Sequence, residues 1–132
     1  MELNTYQKMA MTTCMPSSDN FAYMMLNLVG EVGEFSSKVA KLIRKDMVKI
    51  DNNRPVLCFP NPFTEDHEHM TPQDYDVDYN AELQKECGDI LWQVAGLASC
   101  MGWELEDIAR MNLDKLASRK QRGKIDGDGD NR

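Results

Sequence analysis

An all-α fold is what this sequence predicts: a four-helix, bundle-like domain with one long proline-rich loop between helices two and three. Three observations lead there. Apolar residues recur about every 3.6 positions over long stretches, the spacing of an amphipathic helix. Four of the five prolines, Pro55, Pro60, Pro62 and Pro72, crowd into one segment that no long helix can occupy. Helix start and stop residues fall between the periodic stretches.

The first helix is expected over Asn4 to Met15, with Leu3, Tyr6, Met9 and Ala10 as its apolar side and Pro16 just beyond its end. Ser17, Ser18 and Asp19 offer an N-cap for a second helix reaching about Asp46. Its apolar side runs Phe21, Met24, Met25, Leu28, Val32, Phe35, Val39, Leu42 and Ile43. The loop of 48–77 follows, in which Val56-Leu57-Cys58-Phe59 could form a short extended piece. A connection this long in a compact domain is usually functional or disordered. Helix three is expected over Asp78 to Met101, with Leu83, Cys87, Ile90, Leu91, Val94, Leu97, Ala98 and Met101 on one side and Gly102 at its end. Helix four spans Glu104 to Arg119 and carries Leu105, Ile108, Ala109, Leu113 and Leu116. Glu104, Glu106 and Asp107 suit the positive end of its dipole. The glycine- and aspartate-rich tail of 123–132 should be irregular and flexible.

A single domain over 1–132 fits the length, with 42% apolar and 28% charged residues. No apolar run approaches the roughly eighteen residues of a membrane span. Met1-Glu2-Leu3-Asn4 lacks the basic-then-apolar pattern of a signal peptide, so a cytoplasmic protein without a membrane partner is expected. Cys14, Cys58, Cys87 and Cys100 show no C-x-x-C spacing, and the expectation is reduced, buried thiols. A net charge of −7 argues against binding a nucleic-acid polymer. Between Arg110 and Lys124, however, six basic residues face a single acid, Asp114. That local excess suits a small polyanion.

The most telling pattern is written twice. Leu28-x-x-Glu31-Val32-Gly33-Glu34-Phe35-x-x-Lys38-Val39-Ala40-x-Leu42 is matched by Leu83-x-x-Glu86-Cys87-Gly88-Asp89-Ile90-x-x-Gln93-Val94-Ala95-x-Leu97. On a wheel with the leading leucine at zero, the first acid of each copy falls at about −60° and the second at about −120°. The apolar stripe of helix two centres near about +15° on the same wheel. Each acid pair thus borders a buried face on the same side, and packing the two helices together would bring four carboxylates to one seam. Gly30, Gly33 and Gly88 each cost about 1 kcal/mol in a helix interior, which calls for close approach of backbone or ligand. Glu34 has Lys38, and Asp89 has Lys85, at four-residue spacing, but Glu31 and Glu86 have no such partner. Converging carboxylates repel unless cations neutralise them.

The plainer reading is two solvated acid pairs on helix surfaces. Against it stands the matched register of glycine and acid in both copies. An oxygen-only ligand set suits Mg²⁺, with Mn²⁺ possible, rather than zinc. No E-x-x-H motif of a di-iron bundle is present, and His67 and His69 with Cys58 have poor zinc spacing.

Gly30-Glu31-Val32-Gly33-Glu34 followed by Glu86-Cys87-Gly88-Asp89 resembles the E-x-x-E and E-x-x-D motifs of MazG-like nucleotide pyrophosphohydrolases, in the all-α NTP pyrophosphatase superfamily. Asn112-Leu113-Asp114-Lys115-Leu116-Ala117-Ser118-Arg119 is similar to the family's N-x-x-K-x-x-x-R helix. The ending from Arg122 to Arg132 resembles one branch of the family. The resemblance covers about residues 20–45 and 80–132; the loop of 48–77 does not match the core pattern. It implies hydrolysis of a nucleoside triphosphate between the α- and β-phosphates, with Mg²⁺ held by Glu31, Glu34, Glu86 and Asp89, and a homodimer or homotetramer. Glu34 is the candidate general base. Lys115 and Arg119, four apart on one helix face, could clamp phosphate oxygens, with Asn112, Lys38 and Arg122 as further substrate-binding candidates.

Trp92, Trp103, Phe59, Phe63, Tyr75 and Tyr79 are candidates for stacking on the base. Trp92 falls opposite the apolar stripe of helix three and so must pack on another helix, another subunit or a ligand. Two rivals to the enzyme remain open: a catalytically silent bundle that senses nucleotide or metal, and a helical interaction module whose acids are ordinary surface.

Overall fold

The computed structural model describes residues 1–57 and 78–125. Cys58, Phe59, Phe63, His67, His69, Tyr75 and the tail to Arg132 lie outside the described residues. Among the described residues four helices carry the fold: α1 Leu3–Met11, α2 Phe21–Arg44, α3 Tyr79–Cys100 and α4 Leu105–Gln121. The expected all-α class holds. One small antiparallel hairpin, β1 Val48–Asp51 with β2 Arg54–Leu57, follows α2. Of the expected extended piece Val56-Leu57-Cys58-Phe59, Val56 and Leu57 are in β2, which begins at Arg54 and pairs back to Val48; Cys58 and Phe59 lie outside the described residues. Asn52 and Asn53 both take positive φ (48° and 62°), the geometry of a tight two-residue hairpin turn.

The helix ends follow local chemistry. Asn20, rather than Ser17, Ser18 or Asp19, caps α2: its Oδ1 accepts the Tyr23 N–H at 2.9 Å. Asp78 caps α3 through the Ala81 N–H at 3.1 Å. At the end of α2 Asp46 turns left-handed (φ 56°) and the Met47 N–H closes on the Leu42 carbonyl at 2.9 Å. Gly102 and Gly123 close α3 and α4 in the same way, with Trp103 N–H to Ala98 O and Lys124 N–H to Arg119 O, both at 2.8 Å.

The chain divides into two compact units. The first comprises Met1–Met25 with Trp92–Arg132. Its apolar centre is Ala95, Ala98 and Leu105, flanked by Tyr6, Met11 and Val94. Here α1 packs on α4, and two α1 side chains cap α4's first turn: Gln7 Oε1 accepts from Leu105 N–H at 2.8 Å, Asn4 Oδ1 from Glu106 N–H at 3.0 Å. Trp92 does pack on another helix, as its wheel position required. Its indole N–H donates to Ala10 O at 3.1 Å and Thr13 Oγ1 at 2.9 Å. Gly96 is the glycine that close packing demands: an added Cβ would lie 2.6 Å from Cε of the fully buried Met24.

The second unit, Leu26–Leu91, buries Leu42 and Met47. The expected stripe of α2 is covered only in part, since Phe21, Met25, Val32 and Ile43 remain exposed. On α4, Leu113 and Leu116 are exposed too. Cys87 is exposed rather than buried; Cys14 and Cys100 are free thiols, half-buried beside Asp19. Burial, then the Asp19 charge, pushes both of these thiols up.

Candidate metal centre

The acids of the doubled pattern all lie in the second unit, on α2 and the first half of α3. Glu31, Glu86 and Asp89 each bring one carboxylate oxygen within 4.8 Å of the other two. Glu34 is not part of this triad; it sits one turn along α2, exposed, and its charge is felt by Glu31. The two copies therefore contribute unequally, one acid from the first and two from the second.

Burial differs sharply within the triad. Glu86 is 6% exposed, Glu31 is half-buried and Asp89 is open to solvent. Burial pushes the Glu31 carboxyl above its ordinary range; the bond from Asn27 opposes this, and the charges of Glu34, Asp89 and Glu86 push it further up. Asn27 Nδ2 donates to Glu31 Oε1 at 2.8 Å across one turn of α2.

Glu86 draws its partner from the other helix. Lys38 Nζ lies 2.6 Å from Glu86 Oε1 and 3.3 Å from Glu82 Oε2. The Glu86 bond, foremost, holds the Lys38 ammonium above its usual range. Lys85 approaches Glu82 Oε1 to 2.6 Å, and with Lys38 it holds that carboxyl below its usual range. Among the described residues, then, Lys38 pairs across to α3 and not with Glu34, and Lys85 pairs with Glu82 and not with Asp89. Sequence spacing within each helix pointed to the wrong partners.

Glu86 Oε2 is buried and accepts no hydrogen bond. A buried carboxylate oxygen without a donor is expensive, and a cation is the partner that three converging carboxylates best accept. Oxygen donors of this kind fit a hard divalent ion. Glu31, Glu86 and Asp89 are the residues that would hold it.

The glycines have a different setting from the one expected. A Cβ added at Gly33 or Gly88 would meet nothing within 4 Å, and at Gly30 it would meet only Asn27 Oδ1 at 3.8 Å. No described helix packs closely on them.

The MazG nucleotide pyrophosphohydrolase domain family matches residues 20–123. The chain belongs to this family. It is also similar to the Gene 37 protein of Mycobacterium phage L5, 37% identical over 117 residues, covering 88% of this chain and 80% of that relative. No solved structure matches the chain. The matched span contains all four motif acids and the α4 residues Asn112, Lys115, Arg119 and Arg122.

Those α4 residues belong to the first unit. Asn112, Lys115 and Arg122 are exposed; Arg119 is 5% exposed, so the helix does not present Lys115 and Arg119 alike. Arg122 Nε donates to the Ser118 carbonyl at 3.3 Å. Trp92 commits its indole N–H to α1, whereas Trp103 is half exposed and Tyr79 half-buried. Sequence reasoning missed Asn27 and Glu82. Both stand four residues before an acid of the triad, a spacing that places them one helical turn away.

Proposed function

We propose that this member of the MazG family hydrolyses a nucleoside triphosphate, ribo- or deoxyribo-, to the monophosphate and pyrophosphate in an Mg²⁺-dependent reaction, for nucleotide-pool cleansing or control. The observation that carries this reading is the triad of Glu31, Glu86 and Asp89 with the unpartnered, buried Glu86 Oε2. A divalent ion bound there would supply charge neutralisation for the polyphosphate and acidify an attacking water.

The chain's own residues take the remaining roles. Glu86 and Glu31, on facing helices, orient the ligand oxygens. Exposed Glu34, the fourth motif acid, is assigned to complete the ligand set or to accept the proton of the attacking water. Lys38 bears positive charge beside the triad, and Asn112, Lys115, Arg119 and Arg122 are assigned to the phosphate chain, where fixed donors stabilise the charge that develops on the leaving pyrophosphate. Exposed apolar residues on α2 and α4, among them Leu26, Val29, Met111 and Leu113, support a homodimer or homotetramer. The absence of a helix long and apolar enough to cross a membrane among the described residues is in keeping with a cytoplasmic enzyme.

Pyrophosphate release from a panel of canonical and modified triphosphates, with and without Mg²⁺, tests the reading. Turnover should require the cation. Metal-dependent nucleotide binding without any turnover would instead make the protein a sensor. Absence of both, with no effect of Mg²⁺ on the melting temperature, would make it an interaction module.

A further inference from the structure

The doubled pattern extends one helical turn further than its acids. Asn27 precedes Glu31 by four residues, and Glu82 precedes Glu86 by four. In the first copy the extra residue is itself a donor: Asn27 Nδ2 occupies Glu31 Oε1 at 2.8 Å. In the second it is an acid that recruits a donor. Glu82 Oε2 lies 3.3 Å from Lys38 Nζ, and that same ammonium occupies Glu86 Oε1 at 2.6 Å. Lys85, held 2.6 Å from the other oxygen of Glu82, fixes the anchor.

Both carboxylates end in the same condition. In each, Oε1 is engaged by an N–H donor; in Glu86 the other oxygen, Oε2, is buried and without a hydrogen-bond partner. A carboxylate so held offers a cation one oxygen instead of two. Mg²⁺ and Mn²⁺ take six ligands in near-octahedral array and accept single carboxylate oxygens readily, whereas Ca²⁺ takes six to eight and often draws both oxygens of a carboxylate.

We propose that Asn27 and Lys38 are positioning residues that restrict Glu31 and Glu86 to one-oxygen ligation, and so set the centre's preference for a small octahedral cation over Ca²⁺. The inference rests on the metal site of the proposed function. It gives Lys38 a role in the nucleotide-free protein, beside any contact with phosphate.

Calorimetric titration of the full chain with Mn²⁺ and, separately, with Ca²⁺, in the absence of nucleotide, tests it. Asn27→Leu and Lys38→Met remove the donors while keeping good helix formers at each position. The wild type should bind Mn²⁺ more tightly than Ca²⁺, and each variant should narrow that ratio by about tenfold, as loss of a ligand's outer partner does. Lys38→Arg, which keeps a donor, should restore most of the ratio. The ratio matters because removing the Lys38 charge alone would raise the affinity for both ions together. Equal changes for both ions in both variants would overturn the proposal. If Lys38→Met loses its helical circular dichroism, Asn27→Leu decides by itself. Failure of the wild type to bind either ion would sink the metal centre and this inference together. Mg²⁺-dependent turnover with an unaltered ratio would sink the inference alone.

Discussion

Gln7 and Glu86 are equally hidden, each 6% exposed, yet they are treated in opposite ways. Gln7, in the first unit, is fully satisfied: its amide donates to Ser99 Oγ and Trp103 O, both at 2.9 Å, and its carbonyl oxygen accepts from Leu105 N–H at 2.8 Å. One side chain thereby ties α1 to the end of α3 and caps the start of α4. Glu86, in the second unit, has one oxygen on Lys38 and the other on nothing, with two further carboxylates within reach. A satisfied buried polar group is architecture, because its desolvation is repaid within the fold. An unsatisfied one in a cluster of like charge is costly, and the proposed cation would relieve that cost.

The strongest way to break that contrast is to exchange the consequences. Glu86→Gln should lower Mg²⁺-dependent pyrophosphate release by at least about 100-fold, since it removes a ligand and not an outer partner. Its melting temperature without metal should not fall. Gln7→Leu should do the reverse. It strands the Leu105 N–H and the Ser99 and Trp103 acceptors, costing about 2–4 kcal/mol in urea unfolding, while turnover per folded molecule persists. If Glu86→Gln unfolds the chain and Gln7→Leu does not, the roles assigned here are inverted.

A smaller effect sharpens the electrostatic half of the comparison. The Glu31 carboxyl is held above its ordinary value, so the folded state binds this proton more readily than the unfolded chain. Its contribution is therefore lost as pH rises from the ordinary value through the raised one. Metal-free Glu31→Gln should melt higher than wild type near pH 7, about where an ordinary carboxyl is fully ionised. That gain should vanish as the pH is lowered past the ordinary carboxyl value, where both proteins carry a neutral side chain. Thermal scans of the two proteins across that range would show it, and a gain that grows toward acid would refute the assigned cause. The smallest effect concerns Gly33, whose missing Cβ faces open space. Gly33→Ala should stabilise α2 by about 0.5–1 kcal/mol. Coupled to a loss of turnover, that gain would mean the open surface receives substrate; unchanged turnover would leave the glycine unexplained.

Much of this was legible in residue order. Helix periodicity located all four helices to within a few residues, and the expected stop at Gly102 is a left-handed cap. The doubled acid motif pointed to the triad because two residues on one helix share a face whatever else the chain does. Asn52-Asn53, by contrast, carried a hairpin signal that the crowd of prolines obscured.

What the sequence by itself determined, then, is periodic and local: which stretches are helical, which sides are apolar, and which acids border them. Only tertiary structure decided the pairings. Lys38 left the acid on its own helix for Glu86 on α3, Glu34 stayed outside the triad, and α1 side chains capped α4. A helical repeat fixes direction around one axis, but which long side chain meets which carboxylate depends on where a second axis lies. Glu31 and Glu86 are equal in the written pattern. They differ in the protein because one is held from its own helix and the other from its neighbour's.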